Sequence, residues 1–409
     1  MPAPQSAFSP LTVGPITLAN RFIKSGANEN MYRKGFPTKA LLKHHRELAA
    51  GGVGLTTLAY AAVAKIGRTL PDQLWLRDEV IPHLKAITDA IHAEGGKASL
   101  QITHGGSFVT SIWIPRPTIS ASSGLNVAGL FHGNIWQRAM NEDDMSRVIN
   151  EFAEGAKFAE RAGFDAVEIH MGHGYLLNQF ISPLSNKRSD EYGGNAANRA
   201  RFPARVLSAV KQAVGDKLAV IAKINVADGV RRGSNAEDAA VTAKVLEEAG
   251  ADLLVLSGGR NVESTWFMFG SPMNQEAFAE VFKYKPLQRL LMKAAAMGTP
   301  KDLKFKEMYF RDYSLKVREA VKMPLAYLGG IKSLANIEQA MADGFDAVVM
   351  ARVLLQDAAL VNKLKSGEIS ASGCTNCNAC IPQIYNEAGT YCVLNTPNDP
   401  ALNKIRAAE

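Results

Sequence analysis

Two imidazoles and a phenol fall within six residues of the segment FDAVEIHMGHGYLLNQF: His170, His173 and Tyr175, spaced by Gly172 and Gly174. Imidazole N–H groups and a phenolic O–H can together hold an oxygen atom and deliver a proton. The glycines let the backbone between them turn tightly. A second reactive group lies near the C-terminus. All four cysteines fall in CTNCNACIPQIYNEAGTYC, where Cys374, Cys377, Cys380 and Cys392 give the spacing C-x2-C-x2-C-x11-C. A disulfide framework would spread its cysteines along the chain, so this clustering points to a metal centre or to reactive thiols. Structural zinc sites use two separated C-x2-C knuckles. Three close thiols and a remote fourth match a [4Fe–4S] binder better; zinc and an empty site are the alternatives.

These residues need elements to position them. Phe164 to Ile169 is short, apolar and β-branched, and follows the helix stop Ala162-Gly163, so it reads as a buried strand. The same phrase of amphipathic helix, glycine stop and apolar strand recurs as ELAAGGVGLTTLAY, HAEGGKASLQI, ERAGFDAVEIH, EEAGADLLVLS and MADGFDAVVMA. Strands at Asn20–Ser25, Leu218–Asn225 and Pro324–Leu328 raise the count to eight. Between them, Val80, Leu84, Ile87 and Ile91 form one helical stripe, and Met145, Ile149, Phe152, Ala156 and Ala159 another. Doubly apolar strands alternating with helices predict an α/β fold with an all-parallel sheet, and eight units in order predict a closed (β/α)8 TIM barrel. The first βα turn lacks a G-x-G-x-x-G loop, which argues against a dinucleotide-binding doubly wound sheet. Residues 1–368 are assigned to the barrel and 369–409 to a Cys-rich C-terminal extension. An insertion after strand six, Ser264–Phe310, belongs at the C-terminal mouth, where its Trp266, Phe267 and Phe269 form either a pocket wall or a small satellite core.

Strand ends gather polar groups on one face: Lys24-Ser25-Gly26, Gln101 and His104, His170 with its neighbours, Lys223, Gly329-Gly330, and Ala351-Arg352. Loops after strands seven and eight of such barrels often bind phosphate through backbone N–H groups, and Arg352 adds a charged partner. Lys223 inside an apolar strand is costly unless it meets an anion. Reduced flavin carries negative charge near N1 and O2, and Gln101 can read a pyrimidine edge. Together these features suit FMN across the barrel mouth. A sugar-phosphate substrate without a cofactor, with Lys223 as a Schiff-base lysine, is the alternative.

The stretch HMGHGYLLNQFISPLSNKRSDEYGGNAANRARF closely resembles the signature of the old yellow enzyme family of flavin-dependent ene-reductases, and the likeness runs from PLTVGPITLANRF to FDAVVMARVLLQDAAL. The resemblance implies that NAD(P)H reduces FMN, which passes hydride to the β-carbon of an α,β-unsaturated carbonyl compound. It implies that His170 and His173 hold the carbonyl oxygen and that Tyr175 protonates the α-carbon. Paired N–H donors stabilise a developing enolate, and a phenol of pKa about 10 stays protonated until needed. It further implies FMN contacts at Ser25, Gly26, Tyr60 (through its backbone), Gln101, Lys223, Gly329, Gly330, Ala351 and Arg352. Lys223 stands where the family usually has Arg, which keeps the charge and loses the two-pronged geometry. Tyr60 replaces a smaller residue, and Gly26-Ala27-Asn28 replaces bulkier or thiol-bearing ones. The cysteine tail is similar to that of 2,4-dienoyl-CoA reductase and trimethylamine dehydrogenase, larger members that imply [4Fe–4S]. A second reading is therefore an FMN/iron–sulfur dehydrogenase that oxidises an amine or ketone and passes electrons to a separate redox partner.

Composition narrows the classes further. The chain has 409 residues, 47% hydrophobic and 21% charged, enough for one large core. No run of about 18 apolar residues appears, and the first residues lack a basic stretch followed by an apolar one, so no membrane span or secretory signal is expected and the cytoplasm is the default. Net charge is +7, concentrated between Ser264 and Lys322, where 11 Lys/Arg face 6 Asp/Glu. Without a basic run or a nucleic-acid motif this reads as a solvated insertion. Barrels of this kind commonly associate, so a homo-oligomer is in view.

Overall fold

The computed structural model describes residues 6–109, 117–127, 129, 134–284, 290, 298–386 and 389–395. Parts of the insertion and the end of the cysteine tail lie outside them. Eight parallel strands form a closed barrel: β1 (Phe22–Lys24), β2 (Leu55–Ala62), β3 (Lys97–Thr103), β4 (Ala166–Met171), β5 (Ala219–Asn225), β6 (Leu253–Ser257), β7 (Leu325–Leu328) and β8 (Ala347–Met350). Each pairs with its neighbours in sequence, and β8 closes on β1 with Met350 opposite Lys24. The eight-unit barrel expected from the repeat is therefore the fold, with the predicted insertion after β6.

Strand periodicity of two decides which side chains enter the barrel. Ile23, Leu55, Ala166, Ala219, Ile221, Leu253, Val255, Ala326, Ala347 and Val349 make one inner cluster, joined by Leu11, Val13, Ile16 and Leu18 of an N-terminal hairpin. The alternate residues, such as Phe22, Val167, Ile169 and Val220, join the larger cluster under the helices. Two residues beyond Ala166 and Ile221 on the same faces come Glu168 and Lys223, so the apolar interior ends in a polar layer below the mouth.

The helices form where the stripes predict, with one adjustment. Glu142–Arg161 starts at a capping box made by Asn141 and Asp144 and buries Met145, Val148, Phe152, Ala156 and Ala159. Ile149, expected in the stripe, is only half-buried, and Val148 takes the inner place. Beyond β6, helices Thr265–Phe269 and Gln275–Val281 open the insertion. The Phe267 ring lies 5.1 Å from Phe310 and 5.6 Å from Tyr313, which packs it onto the main core under the helices rather than into a separate satellite core.

The cysteine tail returns across the mouth. Asn378 bonds the insertion at Ser271 Oγ (2.8 Å) and receives a bond from Arg352 at the exit of β8 (2.5 Å). Asn30 donates to the Ile384 carbonyl (2.6 Å), and the Thr390 N–H donates to the Glu29 carbonyl (2.7 Å), holding the loop after β1. Among the described residues no helix is long and apolar enough to cross a membrane.

Candidate active site

The exit of β4 brings the three singled-out residues together. The His170 and His173 rings meet edge-on with centroids 4.9 Å apart, and His170 lies 4.6 Å from the Tyr175 ring. The turn between them is held by its backbone. His173 sits at φ 59°, its N–H donating to Asn225 Oδ1 (3.1 Å) and its carbonyl receiving the Asn261 N–H (3.1 Å). The Gly174 N–H donates to Asn178 Oδ1 at 2.8 Å. A left-handed residue that is not glycine is strained, and these bonds over-determine it.

Both imidazoles are neutral. Burial pushes the His170 pKa well below its ordinary value, with the charges of His173 and Lys223 adding to the effect, and burial followed by Lys223 pushes His173 down to about 3. The Gly172 N–H donates to His170 Nδ1 (3.2 Å), so the ring proton sits on Nε2. His173 Nε2 pairs with Ser257 Oγ at 2.8 Å, which leaves Nδ1 as its second polar atom. Burial also raises the Tyr175 pKa well above 10, so its phenol keeps its proton.

A layer beneath this group involves a residue that sequence reading missed. Lys223 Nζ stands 3.0 Å from Glu168 Oε1, and both side chains are 1% exposed. Its other bonds go to the Gly26 carbonyl (2.8 Å) and Ser25 Oγ (3.2 Å). The anion sought in a ligand is thus supplied first by the protein. Gln101 donates to the same carboxylate oxygen (2.5 Å), while its own Oε1 is buried without a partner. Gly26 runs over this layer: a Cβ there would lie 2.6 Å from Gln101 Nε2 and 2.7 Å from Glu168 Oε1. Glu168 was hidden in the sequence as one polar residue of an apolar strand; its place opposite Gln101 in the β3–β4 register was the available signal.

Tyr60 also reaches the site through its side chain. Its hydroxyl lies 3.0 Å from the Tyr175 hydroxyl and 2.6 Å from Thr69 Oγ1, and its backbone carbonyl accepts from Gln73 Nε2 at 3.4 Å. Gly329 and Gly330 follow β7 at φ 132° and 80°, and the 308–310 segment packs so closely that a Cβ would meet Phe310 Cδ2 at 2.7 Å and the Met308 nitrogen at 2.8 Å. Ala351 caps the short helix Arg352–Gln356. Arg352 donates to Asn378 and to the Phe269 carbonyl (2.9 Å), and stands 5.8 Å from the Phe269 and Phe305 ring centres.

The NADH:flavin oxidoreductase / NADH oxidase family matches residues 6–370 of this sequence. The chain belongs to that family. A 4,4'-dithiodibutanoate disulfide reductase of Rhodococcus erythropolis is 37% identical over 95% of both chains. An NADPH dehydrogenase of Listeria innocua serovar 6a is 32% identical over 67% of this chain and 78% of its own length. The old yellow enzyme homologue from Zymomonas mobilis shares the fold with a TM-score of 0.70 at 21% identity, covering 91% of this chain and 96% of that one. The old yellow enzyme resemblance therefore stands, and this member of the NADH:flavin oxidoreductase family is an NAD(P)H-linked flavin enzyme.

FMN fits the residues present. The unpartnered, buried Gln101 Oε1 lacks the donor that a flavin pyrimidine N–H offers, and the glycine edge at Gly26 leaves the backbone close to that layer. The cysteines fit a metal less well. Burial pushes the Cys380 thiol up to about 12, Arg352 opposes that, and Cys374, Cys392 and Cys377 each raise it further, so the four are electrostatic neighbours. Among the described residues, however, no group of three or more His, Cys, Asp or Glu is arranged to hold a metal ion.

Proposed function

We propose that this flavin oxidoreductase is an FMN-dependent ene-reductase that uses NAD(P)H to reduce the C=C bond of α,β-unsaturated carbonyl compounds. The observation that carries the reading is the packing of two neutral imidazoles against a protonated phenol at the exit of one barrel strand. Gln101, Ser25, Gly26, Lys223, Gly329, Gly330, Ala351 and Arg352 would hold FMN, which would supply the hydride when bound. His170 Nε2–H and His173 Nδ1 hold the substrate oxygen. Because both rings stay neutral, they donate hydrogen bonds without giving up a proton to the enolate. Tyr175 delivers the proton to the α-carbon.

The experiment is anaerobic mixing of the NAD(P)H-reduced enzyme with a cyclic enone, in wild type and Tyr175→Phe. Flavin reoxidation by the enone should slow by about 10²–10⁴-fold in the variant while reduction by NAD(P)H proceeds. Equal loss of both half-reactions would remove Tyr175 from the proton step.

A second reading is favoured by the Rhodococcus relative: the same site reduces the S–S bond of a disulfide carrying carboxylates. Offering 4,4'-dithiodibutanoate beside the enone separates the two, since the true substrate reoxidises the flavin faster. The reading of Cys374, Cys377, Cys380 and Cys392 as cluster ligands is tested by iron and acid-labile sulfide in anaerobically purified protein. No step of the proposed reaction depends on it.

A further inference from the structure

Three side chains, Tyr60, Thr69 and Gln73, run in a line away from Tyr175, and their hydrogens can be assigned. The Thr69 N–H, which can only donate, lies 2.6 Å from the Gln73 side chain, so the amide atom facing it is the oxygen. Thr69 Oγ1 lies 3.1 Å from the same oxygen and therefore donates to it. With its one hydrogen used, Thr69 accepts at 2.6 Å from the Tyr60 hydroxyl. Tyr60, in turn, accepts from the Tyr175 hydroxyl at 3.0 Å. Asn28 Nδ2 adds a donor to the Tyr60 oxygen at 3.3 Å. At rest, then, the Tyr175 proton points at Tyr60 and not into the site.

We propose that Tyr60 shares the proton delivery of Tyr175: as Tyr175 protonates the substrate carbon, Tyr60 replaces that proton and keeps the negative charge. This rests on the ene-reductase reading of the same site. In the step, the Tyr175 O–H bond breaks and a C–H bond forms at the α-carbon. The Tyr60 O–H bond breaks and a new Tyr175 O–H bond forms. The electron pair stays on the Tyr60 oxygen until water returns a proton. No further oxidant or reductant is involved.

The surroundings favour Tyr60 as the resting place of the charge. Its oxygen can receive the Tyr175 O–H, the Asn28 N–H and, once the Thr69 hydroxyl turns from Gln73, a third donor. A phenolate accepting several hydrogen bonds is stabilised relative to its neutral form. Burial raises both phenols, but the bonds from Thr69 and Tyr175 pull Tyr60 back, while Tyr60 pushes Tyr175 further up, an effect that the Asn261 side chain opposes only in part. The titratable groups facing the pair are His170, 6.4 Å from Tyr60 between ring centres, Tyr32 beyond β1, and Tyr385 of the tail. His170 is neutral, so among these groups Tyr60 is the one bonded to the proton donor.

Tyr60→Phe tests this in the FMN-loaded enzyme. Reoxidation by the enone should fall roughly tenfold, less than for removal of a direct general acid, with NAD(P)H reduction in the same variant as the control. In wild type the high-pH limb of the alkene half-reaction reports the first ionisation of the pair, at Tyr60, whose phenolate is held by the Tyr175 O–H. A lone, buried Tyr175 phenolate has no such donor, so in Tyr60→Phe the limb should move to higher pH. A merely structural role would lower the rate with the limb unmoved, and that result would overturn the proposal. Thr69→Ser should keep the wild-type rate and limb, whereas Thr69→Val should lose part of both. An independent arm needs no turnover: ultraviolet difference titration of phenolate in Tyr175→Phe should place Tyr60 ionisation higher than in wild type. Unchanged titration would sink the coupling even if the enone proves to be a substrate. Failure of the enone to reoxidise wild-type flavin would instead sink the reductase reading while the titration still decides the pair.

Discussion

Glu168 and Lys223 show how a single residue's cost is settled by its neighbour. Each is 1% exposed, and neither charge would be tolerated alone inside the barrel. The pair is only as good as its hydrogen bonds, and these are supplied by Gln101, Ser25 and the Gly26 carbonyl. Glu168→Gln should therefore act in two ways. It leaves the Lys223 ammonium buried without its counter-charge, so chemical denaturation should show a loss of about 3–5 kcal/mol. It also exposes more positive charge to whatever lies at the mouth, so the midpoint potential of bound FMN should become more positive. A potential equal to that of wild type would mean that Lys223 is not near the isoalloxazine. The same logic applies to the histidines, which burial keeps uncharged.

At the scale of elements, the site is a set of strand exits, each shaped by what packs beside it. The exit of β4 is clamped by Asn225 of β5, by Ser257 of β6 and by Asn261 just beyond it, so the two strands that follow fix His173. The exit of β7 is shaped by the end of the insertion, whose Met308 and Phe310 leave room only for glycine at 329 and 330. Gly330→Ala should cost about 1–3 kcal/mol for a side chain at φ 80°, with more lost if the Met308 backbone must move. Thermal unfolding and the dissociation constant of FMN measure the two consequences. A stable variant with weakened FMN binding would support the phosphate role, whereas unchanged binding would assign the glycines to packing alone.

Across the whole molecule, the tail and the buried histidines tie the mouth to global stability. The tail bonds the β1 loop, the insertion and the exit of β8, so segments far apart in sequence are held as one rim. Burial pushes His104 down to about 3 and His170 well below its ordinary value. In the unfolded chain both titrate near 6.5. Below that pH the unfolded state binds more protons than the folded one, so stability is fully present above about 6.5 and is lost as pH falls towards the folded values. Urea unfolding should therefore give a smaller free energy near pH 5 than near pH 7.5, and a flat profile across that interval would show that these rings are solvated. His170→Asn should remove its share of the slope.

The phrase of helix, glycine and apolar strand was readable five times along the chain because local periodicity and turn chemistry repeat, and with three further apolar strands it determined the barrel. Strand order likewise located His170, His173, Tyr175, Gln101 and Lys223 at one end, since parallel strands all leave the barrel on the same side. Other features were set by register and approach between distant segments. Glu168 became the partner of Lys223 only when β4 and β5 aligned, and Tyr60 met Tyr175 only when the exits of β2 and β4 converged. Whether Phe267 walled a pocket or filled a core was likewise decided by Phe310, more than forty positions away. Periodicity is written between near neighbours in sequence, whereas a hydrogen bond or ring contact across the barrel depends on the closure of all eight strands.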